Sequence, residues 1–148
     1  MEYHIINKMK WHKARPIMKG ENKMTNQKNF EHYESKCEAI IHTASVACGA
    51  IGASPIPGSD ALPIMAVQTA MVLSLAHVFD IDLDKALAKA IVKEQLAKQA
   101  GKMIAGQLTK LIPFFGSAVN ATVATGLTEH MGWNVAKDFY RQSLKEAA

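Results

Sequence analysis

Strand-forming character is scarce in this chain of 148 residues. No stretch alternates Val, Ile or Thr with polar residues, so a half-buried sheet is excluded as the main architecture. Cysteine is scarce too, with only Cys37 and Cys48. On one helix, eleven residues apart, they stand roughly 16 Å from each other along the axis. A disulfide needs Cα atoms within about 7 Å, so these two cannot pair with each other. Aromatic residues make up 7% of the chain and do not interleave with basic residues in its body, which argues against a single-strand nucleic-acid platform. The first segment lacks an apolar run of the secretory type, and a reducing, cytoplasmic setting is the expectation.

Chemical motifs are missing as well. The P-loop pattern is absent, since Gly101-Lys102 is followed by Met103 inside a helical pattern. The six histidines (4, 12, 32, 42, 77 and 130) form no His-x-x-x-His and accompany no Cys-x-x-Cys, so neither a metal nor another cofactor is expected. His42 and Cys48 are the one pair that can be imagined as base and nucleophile. A small buried cysteine beside an unrelated histidine is far commoner. No catalytic residue is assigned.

Helix formers and apolar residues are plentiful, the latter at 49%. One domain with a packed core fits this length. The formal charge of +4 is uneven. Residues 1–29 hold seven basic residues (Lys8, Lys10, Lys13, Arg15, Lys19, Lys23, Lys28) against Glu2 and Glu21, a balance of +5. The remaining ten basic and eleven acidic residues give −1. Residues 1–30 therefore read as a mobile basic arm. The high pI describes that arm and not the body, so no nucleic-acid partner follows from it.

The body, residues 31–148, is organised around Ser54-Pro55-Ile56-Pro57-Gly58-Ser59-Asp60. Pro55, Pro57 and Gly58 end one helix, and Asp60 is placed to cap the next. Fifty-eight residues on, Pro113, Gly116 and Ser117 repeat the spacing of Pro55, Gly58 and Ser59. Two antiparallel helical hairpins are expected, over about 31–79 and 83–147, in an all-α fold. Helices are expected at 30–53, 61–79, 83–110 and 117–147, with Asp82 and Ser117 as N-caps. Ala44, Cys48 and Gly52, like Ser45, Gly49 and Ala53, recur every four residues and permit close backbone approach. The second helix is uncharged over 19 residues, about a bilayer's span, yet Gln68, Thr69, Ser74 and His77 interrupt it. Burial in protein and burial in lipid both remain open for it. Lys85, Lys89 and Lys93 form a like-charged row on the third helix.

The runs 111–121 and 124–129, with Gly132-Trp133 and the first tip Pro55-Ile56-Pro57-Gly58 before Asp60, resemble a bacterial family of helical domains, the YcjF-like domains. The likeness covers about residues 38–142. It implies an all-helical, membrane-associated or GTPase-coupled module with no established catalytic residue. Phe114-Phe115 departs from the family's glycine and small aliphatic residue, and no GTPase domain is attached, so a GTPase partner would act in trans. The expected function is a non-enzymatic, membrane-proximal interaction module working with a GTPase or with a second copy of itself. It would sit peripherally or integrally at the inner membrane. The alternative is a hairpin-inserting, toxin-like effector. The expected contact patch for an anionic membrane or partner is Lys110, Ile112, Pro113, Phe114 and Phe115. Two adjacent phenylalanines at a turn need a cover.

Overall fold

The computed structural model describes residues 10–11, 23–53, 61–105 and 117–146, with side chains described for residues 30–53, 62–99 and 121–146. Among the described residues four helices carry the fold: α1 (Lys23–Gly52), α2 (Ala61–Val78), α3 (Lys85–Ala105) and α4 (Ser117–Glu146). The all-α class expected from the sequence is the class observed. Two short segments, β1 (Lys10–Trp11) and β2 (Ile81–Asp82), pair antiparallel, with Lys10 opposite Asp82 and Trp11 opposite Ile81.

The long helices α1 and α4 form the backbone of the body and run antiparallel. Phe30 stacks 5.1 Å from Tyr140 at one end. Gly132 abuts Ile41 at mid-length, and Gly49 abuts Thr125 near the other end. Gly49, from one small-residue row of α1, serves this approach together with Gly132 of α4, since a side chain at either would collide with the facing helix. α2 folds back along α1, again antiparallel. The Tyr33 ring lies 5.2 Å from Phe79, and the Cys48 thiol meets the Ile64 carbonyl across 4.0 Å. α3 packs on α2 and is tied to α4 where the Gln99 side-chain amide donates to the Leu127 carbonyl at 3.3 Å. α3 and α4 touch less than any other pair of helices in contact, while α4 meets α1 most. Among the described residues, α4 is therefore held mainly by α1 and α2 and less by α3.

Several boundaries differ from expectation. α1 starts at Lys23, seven residues ahead of the expected Phe30, so the end of the basic arm is helical. Lys, Gln and Met are good helix formers, and extending a packed helix is cheaper than nucleating one. Near its start the arm has a paired point, Lys10–Trp11 against β2. Asp82 does not cap α3. It lies in β2, and Asp84 takes the role, its Oδ1 accepting from the Leu87 N–H at 2.8 Å. The end of α2 is closed by Asp80 at φ 56°, the left-handed setting of a helix C-terminus, in which Asp is better tolerated than most residues. Residues 106–110, expected to continue α3, lie outside the described residues. No helix among the described residues is long and apolar enough to cross a membrane.

The core has two characters. At the end farthest from the α1–α2 connection, Phe30, Tyr33, Phe79, Phe139 and Tyr140 form an aromatic cluster. Towards that connection the interior turns small and polar, with Ser45, Cys48, Gln68 and Thr128 all at 2% exposure or less.

Candidate functional site

Of the residues expected at the hairpin tips, Pro55, Pro57, Gly58, Asp60 and Gly116 lie outside the described residues. Ser117 opens α4, where the N-cap expectation put the helix start. The expected contact patch Lys110, Ile112, Pro113, Phe114 and Phe115 also lies outside them. The structure does bring together a different set of residues on the outer side of α2 and α3.

α2 is apolar nearly all round, and one of its faces is left over after packing. Leu62, Met65, Ala66, Thr69, Ala70 and Leu73 follow the i, i+3, i+4, i+7 rule of a single helix face. They line an open groove of about 440 Å³. Small side chains, Ala66, Thr69 and Ala70, make its floor. Leu62 is 78% exposed. Lys85 and Lys89, in the first two turns of α3, complete the lining, and no carboxylate among the described residues does. Because α3 returns antiparallel after a short turn, both ammonium groups belong to the Leu73 end of the groove. Neither lysine has an ion pair among the described residues, whereas Lys98 on the same helix pairs with Glu94 at 3.0 Å.

The lysine row was visible in the sequence, and so was the apolar circumference of α2. Their union was not, because the groove exists only once two helices are set side by side.

The second feature is the buried polar layer. Gln68 donates through Nε2 to Thr128 Oγ1 at 3.0 Å, joining α2 to α4. Ser45 Oγ, Gln68 Oε1 and Gln99 Oε1 find no protein partner among the described residues. Polar groups in such a setting are expensive unless paired, and they favour one register of the helices over its neighbours.

Neither cysteine is activated. Both are free and buried. Burial, then the nearby Glu34 carboxylate, pushes the Cys37 thiol up to about 11. Burial also raises Cys48, against a smaller opposing effect of its hydrogen bond with Thr128. His42 and Cys48 are not brought together. Cys48 points inward to Ile64 and Thr128, while the exposed His42 stands 4.0 Å from Glu129. No cluster of metal-binding side chains occurs among the described residues.

Comparison of the chain with family models, curated proteins and solved structures gave no match. The resemblance drawn from the tips and the 111–133 run rests on those motifs alone.

Proposed function

We propose that this chain is a non-enzymatic interaction module that works against an anionic membrane surface, with a GTPase acting in trans or a second copy of the chain as its protein partner. The observation that carries the reading is the groove on α2 and α3, lined by apolar residues of α2 and by two lysines from the start of α3. Apolar surface drives docking in proportion to the area removed from water, about 25 cal/mol per Å². Each lysine held near an anionic leaflet adds about 1 kcal/mol. The pair Phe114-Phe115, next to Ile112, Pro113 and Lys110, supplies a second apolar and basic element in the sequence.

Vesicle flotation tests the proposal. The full chain is expected to float with vesicles containing phosphatidylglycerol at low salt, to float less as salt screens the lysines, and to ignore neutral vesicles. Phe114→Ser with Phe115→Ser should weaken flotation while helix content by circular dichroism stays the same. A wild-type chain that remains with the soluble fraction on anionic vesicles removes the membrane from the proposal.

A further inference from the structure

The groove is more specific than a sticky face. From Leu62 to Leu73 it runs eleven residues along α2, about 16 Å. The hydrocarbon core of a bilayer is about 30 Å thick, so one leaflet, and one acyl chain standing in it, is about 15 Å. Among the described residues, Leu62, Met65, Ala66, Ala70 and Leu73 make the α2 side apolar, and Lys85 and Lys89 come from the start of α3, which follows α2 after a short turn and so lies nearer Leu73 than Leu62. A partner helix lying in the groove would call for polar rims along both sides. An amphiphile calls for what is here, a cationic head site at one end and an apolar trough for the tail. Ala66 and Ala70 keep the trough open, and the exposed Lys85 and Lys89 can lay their apolar stems along its wall with their ammonium groups in water.

We infer that the groove takes one acyl chain of an anionic membrane lipid, with the lipid phosphate between Lys85 and Lys89 and the chain laid along Ala70, Ala66 and Met65 towards Leu62. Its volume of about 440 Å³ falls in the range of small-ligand sites. The inference rests on the membrane-proximal reading only for the source of the lipid. The groove's chemistry is independent of any GTPase or second copy.

The test uses the full chain and single-chain lipids kept below micelle formation. Lysophosphatidylglycerol should bind with saturable stoichiometry near one in titration calorimetry, and neutral lysophosphatidylcholine should bind at least about tenfold more weakly. Lys85→Gln with Lys89→Gln should abolish that preference and leave the weak neutral binding. Ala70→Trp, an exposed floor position, should block both lipids without lowering the thermal midpoint. Equal affinity for the two lipids, or binding indifferent to Ala70→Trp, overturns the inference. So does lipid-free self-association, seen in sedimentation, that the double lysine variant or Ala70→Trp abolishes, because the groove's occupant is then a second copy. Vesicle flotation is read separately. Flotation without lysolipid binding overturns the groove and keeps the membrane reading; lysolipid binding without flotation does the reverse.

Discussion

Gly132→Leu should lower the stability of the chain by about 3 kcal/mol or more, the upper part of the range for overpacked cores. Gly132 sits where three helices meet. A Cβ there would lie 2.7 and 2.8 Å from the two γ-carbons of Ile41 on α1, and 3.1 Å from the Met71 sulfur on α2. Ile41 and Met71 are themselves buried, so neither side chain has space to retreat into. Leucine adds three further carbons, and α4 must move off α1 along the longest contact in the body. For a chain of this size the thermal midpoint should fall by roughly 10 °C. Gly126, six residues earlier on the same helix, is the control. A Cβ there meets nothing within 4 Å. Gly126→Ala should therefore raise stability by up to about 1 kcal/mol, the ordinary gain in helix propensity. A thermal melt of the two variants separates packing from propensity. Equal effects of the two would mean that α1 and α4 do not approach as described.

The next largest effect is expected in the buried polar layer. Thr128→Val keeps the shape of the side chain and removes the acceptor that Gln68 uses at 3.0 Å. The Gln68 amide, at 2% exposure, is then left with an unpaired donor beside an acceptor that already lacks a protein partner. The cost should be about 1–3 kcal/mol. Gln68→Met removes both of its polar atoms at nearly constant volume. In the double variant Gln68→Met with Thr128→Val, most of the loss should be recovered, because replacing both members of a buried pair costs little. Chemical denaturation of the wild type, both single variants and the double variant gives the coupling directly. Additive losses would show that the two side chains do not depend on each other.

Much of the architecture was legible in the sequence because its signals are local. The proline and glycine around residues 55–58 separate α1 from α2, and Ser117 marks the start of α4. Signals that depend on the third dimension were not legible. Gln68 and Thr69 look like flaws in an apolar helix until Thr128 is brought opposite Gln68 and the Met65 carbonyl is seen to accept from Thr69. Gly132 carries no local signal of its role, which is to let Ile41 pass close by. Asp82 and Asp84 are equivalent as caps by residue type, and only the pairing of β2 with β1 removes Asp82 from contention. The candidate groove belongs to this second group, since six of its lining residues come from α2 and two from α3. The tips that dominate the sequence pattern, and Phe114-Phe115 above all, lie outside the described residues, so their part in membrane contact rests on the sequence.

The central claim is that the α2–α3 groove meets anionic lipid, and hydrogen exchange followed by mass spectrometry on the full chain tests it most directly. With vesicles containing phosphatidylglycerol, peptides covering Leu62–Leu73 and Lys85–Lys89 should exchange more slowly, and neutral vesicles should leave them unchanged. Vesicle binding that slows exchange elsewhere and leaves both of these segments as they are in solution would contradict the claim.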